Sequence, residues 1–424
     1  MNIVLNDLGF GDSSKGAWGE YFALRNDADL SVRYAGGCQG FHYIRHEGKP
    51  HPANQFSPAS LVRPNLQTVI AGNVPTDPFR LLREGRVMQK RFGLDNPLSR
   101  ILLTPDSPII TPAHDLLCGL RERHSEHQIG TTGVGVRELM SDIAAGDESL
   151  VFRVKDFFNS GWQDKFTKVV HHQLDKTHDL GIPDEILSGQ LEEYSKRHPL
   201  PKLIEEYEQL LGSVGGIVDG EELNSLIHKK STIFEMAQGT LLDRDHGFKP
   251  HVTSTTTTLK PIRQYSLNPS DTRFVFLCRA YMTRHGPGFF PTETDELNFP
   301  DDNGKHEFQG DFRYGWLDLH LLRYALDVNS LYEPVSSGSL AVSHLDQLSH
   351  LEQIPVVCGR NCDGSPQFAY LRGWQTDIGS IKSADALPKE AKQYLDFMSV
   401  ILDIPIGYVS VGPTQQHRFE VRPQ

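Results

Sequence analysis

A chain of 424 residues with 38% hydrophobic and 23% charged residues, 37 Gly and 26 Pro has the make-up of a globular α/β enzyme rich in turns, and nothing in it reads as disorder. The formal net charge of −12 excludes a broad nucleic-acid footprint, which needs cationic patches that release counterions. Five scattered cysteines argue against a disulfide framework and for a cytoplasmic protein, and there is neither a signal-peptide pattern at Met1–Leu5 nor an apolar run of about 18 residues to cross a bilayer.

In chain order, the first strand is expected over residues 3–5, followed by a glycine-rich turn and a helix over 17–24. Short apolar, β-branched runs at 30–34, 66–70 and 100–103 predict further strands. Thr76-Asp77-Pro78 offers a cap and a proline at the first helical position, ahead of Phe79, Leu82 and Met88. Residues 155–230 are rich in charge and histidine, with helical periodicity and few strand-like runs, and are expected to form a helical insertion. Strands resume at 232–234, 274–278, 339–342, 354–358 and 406–410, with amphipathic helices over 316–329 and 388–402. In the last helix Tyr394, Phe397, Met398 and Ile401 repeat at i, i+3, i+4 and i+7. Strands apolar at consecutive positions are buried on both faces. The expected fold class is therefore α/β: a large, mainly parallel central sheet flanked by helices, with residues 1–424 as one domain and the helical insertion within it.

Four segments have the residue types of a nucleotide site. Gly9-Phe10-Gly11-Asp12-Ser13-Ser14-Lys15-Gly16 joins the first strand to a helix, where backbone N–H groups, the helix N-terminus and the Lys15 charge can meet a phosphate. It is not a P-loop, which places glycine before the lysine and Ser or Thr after it. Gly36-Gly37-Cys38-Gln39-Gly40-Phe41-His42 ends the second strand, and paired turns at the carboxyl ends of strands are where open α/β sheets bind ligands. Ile129-Gly130-Thr131-Thr132-Gly133 offers hydroxyls and backbone donors. The stretch from Glu235 through Gln238 to Gly247, with His251-Val252-Thr253 after it, is too polar beside an apolar strand to be core. Cys358 and Cys362 have a spacing found in zinc pairs but lack a second Cys/His pair, and His171 and His172 cannot share a helix face.

Together and in order, these segments resemble the adenylosuccinate synthetase family. The likeness continues through Tyr281 to Glu293, Tyr314 to Asp318, His344-Leu345-Asp346, Leu371 to Trp374 and Val409 to Pro413, and so covers nearly the whole chain. It implies a Mg2+-dependent ligase. GTP phosphorylates the 6-oxygen of a purine mononucleotide, inosinate in the family, and the amine of aspartate displaces the phosphate. By the same resemblance Asp12 is the base at purine N1 and a Mg2+ ligand, with the Phe41 carbonyl on the metal, and His42 is the acid. Gly11, Ser13, Ser14, Lys15 and Gly16 cradle phosphates, and Gln39, Gly40, Thr131, Thr132, Gln238, Thr253 and Arg313 bind nucleotide. His344, Asp346, Ser410, Gly412 and Pro413 hold the guanine of GTP. Homodimers are implied, with no nucleic-acid or membrane partner.

The chain departs from the family pattern at four places. Ser13 and Ser14 stand where the family has Glu-Gly, and Phe41 and Tyr43 flank His42 in place of Gly and Thr. The arginine cluster that pairs with aspartate's carboxylates is reduced to Arg313. Val134 replaces an arginine, and the arginine that a partner subunit donates has no counterpart, although Arg137 lies nearby. These changes keep three alternatives open: a phage-type enzyme acting on deoxyguanylate, where Ser13 or Ser14 could accept from a 2-amino group; a different amine donor; and a nucleotide-binding homologue without ligase activity.

Overall fold

A strand covered on both sides must be apolar at every position, and the first strand meets that requirement by dividing its side chains between two cores. Val4 points into a cluster with Val32 and Val69, whereas Ile3 and Leu5 pack on Trp18, Tyr21 and Phe22 of the following helix. Each such side chain contributes roughly 1.5–3 kcal/mol by leaving water. The structure, a computed structural model, describes every residue except 41, 47–48, 127, 300–303 and 422–424.

The chain begins β1 (Asn2–Asp7), α1 (Lys15–Arg25), β2 (Leu30–Ala35), the hairpin β3 (His42–His46) and β4 (Lys49–Ala53), then β5 (Gln67–Ile70), α2 (Pro78–Phe92), β6 (Ile101–Leu103), α3 (Pro112–His124) and α4 (Val136–Ala145). Next come α5 (Trp162–Asp175), α6 (Asp184–Arg197), α7 (Leu200–Ser213), β7 (Gly216–Ile217), α8 (Gly220–Lys229), β8 (Thr232–Met236), β9 (Thr272–Arg279) and β10 (Met282–His285). The last part holds β11 (Phe312–Gly315), β12 (Leu317–Asp318), α9 (Leu319–Ser330), β13 (Ser339–Ser343), β14 (Gln353–Arg360), β15 (Pro366–Arg372), α10 (Lys389–Leu402), β16 (Ile406–Ser410) and β17 (Arg418–Glu420).

Ten strands form the central sheet in the order β17-β16-β13-β9-β1-β8-β2-β5-β6-β7 among the described residues. All neighbours are parallel except β16 with β17. The nine parallel strands therefore end on one side, and the turns that follow β16, β13, β9, β1, β8 and β2 form one continuous rim. Local rules set the helices that brace it. Asp77 Oδ1 accepts from Arg80 N at 2.9 Å, Pro78 opens α2, and Gly93 at φ 68° closes it.

The expected strands all form, with one in a different place. Residues 354–358 belong to β14, which pairs with β12 and β15 in a separate three-stranded sheet. That pairing also shortens the helix expected from Trp316: Leu317 and Asp318 are taken up as β12, and α9 starts at Leu319 with the Asp318 carboxylate accepting from Leu321 N at 3.0 Å. Residues 155–230 contain α5 to α8, and between α7 and α8 the short β7 joins the edge of the central sheet beside β6. No helix of the described residues is long and apolar enough to cross a membrane.

Candidate functional site

The turn after β1 is organised by a residue that the sequence motifs do not include. Asp7, fully buried at the end of β1, accepts from Gly9 N at 2.9 Å, Ser13 N at 3.2 Å, Ser13 Oγ at 2.9 Å and Lys15 Nζ at 2.7 Å. One carboxylate thereby folds the turn back on the strand and fixes both Ser13 and Lys15. The turn reaches left-handed backbone at Asp12 (φ 60°) and Ser14 (φ 63°), which non-glycine residues adopt at a cost. Two other predicted residues share that geometry, Gln238 (φ 64°) and His344 (φ 61°). Half of the eight such residues described thus fall on the predicted site, which marks the rim as a place where backbone strain is retained.

Asp12 is held by its backbone: its carbonyl accepts from Arg279 Nε, at the end of β9, at 2.7 Å. Its carboxylate accepts no hydrogen bond from a described residue. Burial pushes the acid above the ordinary carboxylate range, against the charges of Lys15, Arg279 and His285, with Asp7 adding to the rise. Arg279 itself lies over the rings of Phe312 and Tyr281, 5.4 and 5.7 Å from their centroids.

His42 has a fixed tautomer. Arg33 Nη1 lies 3.0 Å from His42 Nδ1, and because a guanidinium only donates, Nδ1 accepts and the ring proton resides on Nε2. Nε2 is buried and has no hydrogen-bond partner among the described residues. Burial, then the charges of Arg33 and Lys15, lowers the imidazole well below its usual range. The ring is therefore neutral, with Nε2–H as its donor. Arg33 is buried in turn beside Glu235, 3.4 Å away, whose other oxygen accepts from Ser57 Oγ at 2.6 Å. The charge of Lys15 acts on both Asp12 and His42. Phe41, the expected carbonyl ligand, lies outside the described residues.

Beside the ends of β8 and β2 is a cavity of about 450 Å³. Gln39, Thr131, Thr132, Gln238 and Thr253, all expected from the sequence to bind nucleotide, line it; Asp12 and His42 are not among its lining residues. Gln39 Nε2 ties the wall together by donating to Gln238 Oε1 at 3.3 Å and Thr253 Oγ1 at 3.1 Å, which leaves Gln39 Oε1 buried without a partner among the described residues. Asp243 fixes the loop behind them, accepting from the backbone of Asp245, His246 and Thr257 and from Thr256 Oγ1. The Thr131-Thr132 turn passes through Gly133 (φ 71°) and Gly135 (φ 66°), where a Cβ would stand 2.5 Å from Phe308 and 2.6 Å from His114. Only glycine fits there.

The lining contains no Asp or Glu among the described residues, although it includes Arg137, Arg244, Lys249 and Arg284. A second wall carries His285, at the end of β10, with its Nε2 buried and without a partner among the described residues and its ring edge-on to Phe312 at 5.6 Å. Arg284 is spent on the backbone: it donates to the carbonyls of Pro287, Phe289 and His251 and lies 4.4 Å over the Phe10 ring. Arg313, predicted to touch nucleotide, does not line the cavity and is placed by the β10–β11 pairing. Its guanidinium donates to the carbonyls of Gly286 and Gly288 at 2.9 and 3.0 Å and to Glu293 at 2.5 Å.

The predicted guanine residues lie on the other flank of β1, at the ends of β13 and β16. Asp346 Oδ2 accepts from Gln347 Nε2 at 3.1 Å, and Oδ1 is buried with no partner among the described residues. Ser410 Oγ donates to Gly412 O at 3.0 Å, and Pro413 O accepts from Arg418 Nη2 at 3.1 Å. Ser343, one residue before His344, reaches Ser13 O at 3.4 Å, so this loop touches the glycine-rich turn directly.

A profile described as adenylosuccinate synthetase matches residues 4–419. The chain belongs to the adenylosuccinate synthetase family. It is thus a carbon–nitrogen ligase of purine biosynthesis, from a family whose members bind nucleotides. Curated relatives include the adenylosuccinate synthetases of Thermobifida fusca, 30% identical over 99% of each chain, and of Picosynechococcus, 28% identical over 97% of this chain and 93% of that one. Among solved structures, the fully ligated adenylosuccinate synthetase of Plasmodium falciparum aligns over 99% of both chains with a TM-score of 0.82 at 21% identity. The succinoaminodeoxyadenylate synthetase of cyanophage S-2L, solved with dGMP and with dATP as energy donor, aligns over 99% of this chain and 95% of that one with a TM-score of 0.57 at 14% identity. The last two likenesses concern the fold.

Proposed function

We propose that this synthetase uses GTP and Mg2+ to phosphorylate the 6-oxygen of a purine mononucleotide and then exchanges that phosphate for the amine of an amino acid, aspartate in the first instance. The observation that carries the reading is the cavity. In a chain of net charge −12, a space lined by four cationic residues and no described acid is built for an anion, and it adjoins a strained glycine-rich turn carrying Asp12 and Lys15.

In this reading Asp12 takes the proton from purine N1. Burial raises its basicity, and its carboxylate has no competing hydrogen-bond donor among the described residues. The oxygen at C6 becomes nucleophilic and attacks the γ-phosphorus, whose bond to the β–γ bridging oxygen breaks as GDP leaves. The free Nε2–H of His42 donates to the phosphoryl oxygens in transit, and Lys15 offsets their charge. The amine then displaces phosphate at C6. Mg2+ fits this donor set, because it is usually held by one or two carboxylates together with phosphate oxygens, and Asp12 supplies such a carboxylate. When bound, the ion would neutralise phosphate charge. Asp346, with its unpartnered oxygen, would accept from guanine N1 and N2 hydrogens and so select GTP over ATP. We read the protein as a homodimeric single-domain enzyme with residues 155–230 as its helical insertion.

The Ser13 hydroxyl is buried and donates to Asp7, whereas Ser14, at the half-buried N-cap of α1 with no side-chain cap bond, is the more accessible of the two to accept from a 2-amino group. The test is mass spectrometry of products formed from GTP, Mg2+ and aspartate with inosinate, guanylate or deoxyguanylate in turn. Release of phosphate from GTP with no purine-dependent adduct in any mixture would overturn the reading.

A further inference from the structure

The buried carboxylate of Glu235, near the end of β8, meets three other elements at once. Its Oε2 accepts from Arg33 Nη1 of β2 at 3.4 Å, and its Oε1 accepts from Ser57 Oγ, in the turn after β4, at 2.6 Å. The third element is α1. A Cβ on Gly19 would stand 2.8 Å from Glu235 Oε1, so the helix that begins with Lys15 packs against this carboxylate through a residue with no side chain. Arg33, buried as well, also reaches His42, its Nη1 donating to Nδ1 at 3.0 Å. The hairpin that carries His42 is held at its other end. His42 pairs with Ala53, and the next two N–H groups, of Asn54 and Gln55, each donate to the carboxylate of Glu84 on α2 at 2.9 Å.

Arg33 Nη1 carries two hydrogens and the two contacts use one each, so Glu235 and His42 are joined through a single nitrogen. Every member of the chain from Ser57 to His42 is buried, so a displaced carboxylate finds no water to absorb the shift, which passes on to the imidazole. We propose that Glu235 is a positioning residue: held between Ser57 and Gly19, it sets Arg33, and through Arg33 it sets the direction in which His42 presents Nε2–H. Neither Glu235 nor Arg33 lines the cavity, so both act only through the histidine. The inference rests on the role given to His42 above. It also accounts for a charged pair kept inside the sheet, where replacing a buried ion pair with apolar residues is often neutral or favourable for stability.

Gly19→Ala is the sharpest test, because it puts one methyl group against the carboxylate and removes no polar group. Glu235→Gln strands the Arg33 charge and can cost the fold, so the pair is also removed together as Arg33→Met/Glu235→Leu. Phosphate release from GTP is followed in the full-length protein, alone and with His42→Asn, using the purine monophosphate that forms an adduct. Each change lowers kcat roughly tenfold to a hundredfold while the KM values for GTP and purine move less than about threefold. In the His42→Asn background the same changes cost less than about twofold, since the group they act through is gone. A loss undiminished in that background, or one carried by the KM values, overturns the assignment. Nitrogen-15 NMR of the ligand-free protein reads the contact without turnover. The His42 resonances, identified by their absence in His42→Asn, show Nδ1 unprotonated, and they shift in Gly19→Ala; protonated Nδ1, or resonances that stay put, also overturns it. A wild type with this signature but no purine-dependent phosphate release leaves the positioning of His42 standing and removes the ligase reading instead.

Discussion

Lys15 Nζ lies 2.7 Å from Asp7 Oδ2, and the carboxylate is wholly buried. The lysine that points to phosphate chemistry is therefore already paired, inside the protein, with an acid eight residues upstream that also holds two N–H groups and a hydroxyl of the same turn. A phosphate reaching Lys15 competes with Asp7, and the geometry of the turn depends on the pair.

Removing one partner should then cost more than removing both. Lys15→Met leaves a buried carboxylate without its counter-ion and is expected to lower unfolding free energy by about 3–5 kcal/mol. Asp7→Asn/Lys15→Met should be less destabilised than the sum of the two single variants, with a coupling of roughly 1–3 kcal/mol. Urea unfolding of the four proteins measures the cycle; additive effects would show that the pair is not coupled.

Asp12→Ala should abolish purine-dependent phosphate release while GTP binding remains measurable, since Lys15 and the backbone of the turn persist. Radiolabelled phosphate release and equilibrium binding of a non-hydrolysable GTP analogue separate the two properties. Turnover retained in the variant would remove Asp12 from the role of base.

For His42 the expectation concerns pH. In the unfolded chain an imidazole takes up a proton as pH falls through about 6.5, but burial and the Arg33 charge keep His42 neutral well below that point in the fold. Unfolding consequently binds a proton at low pH. The stability associated with neutral His42 is intact above about pH 6.5 and falls by up to about 1.4 kcal/mol for each pH unit below it. His42→Asn lacks this loss, so the stability gap between wild type and variant should shrink between about pH 7.5 and pH 5. An unchanged gap would place a normal, titrating histidine at this position. In turnover, no acid limb should arise from His42 above about pH 6.

Asp346→Asn should raise the KM for GTP by roughly tenfold to a hundredfold and narrow the preference for GTP over ATP or ITP, because an amide cannot accept two hydrogens from guanine. Steady-state kinetics with the three triphosphates reads the change. Equal loss with all three would mean that Asp346 shapes the loop without reading the base.

The parts of the site that the sequence made legible are those written in contiguous residues. Gly11, Asp12 and Lys15 stand out because glycines and a lysine interrupt an apolar strand and a helix, and Gln39, Gln238 and Thr253 lie in polar stretches that no core would contain. Asp7 was not legible as functional. It ends an apolar strand, and its importance appears only when Ser13 and Lys15 fold back onto it. Arg33 and Glu235 carried one usable signal, a charge within an otherwise buried strand, but their pairing joins residues 202 apart in the chain. Arg313 illustrates the converse. Its motif marks it in the sequence, but only the antiparallel register of β10 and β11, with Arg284 opposite Arg313 and His285 opposite Phe312, shows that its guanidinium rests on backbone carbonyls.

The sheet itself was readable because its strands are apolar at consecutive positions, yet β14 has the same texture and joins a different sheet. Local hydrophobicity reports that a strand is covered, not which neighbour covers it. The displacement of α9 from Trp316 to Leu319 has the same origin, since the partner of Leu317-Asp318 is 39 residues further along, at Val356-Val357.

The acid-free lining of the cavity has a consequence for how fast the enzyme meets its substrate. A multiply charged anion diffusing toward a protein of net charge −12 meets a repulsive net field and, at the cavity, the local attraction of Arg137 and Lys249, which no described acid offsets. Added salt, with a Debye length of about 8 Å at physiological strength, shortens the reach of both fields. Repulsion from the distant exterior is screened before attraction at the mouth, so capture should depend on ionic strength less steeply than for a site with the opposite arrangement of charge.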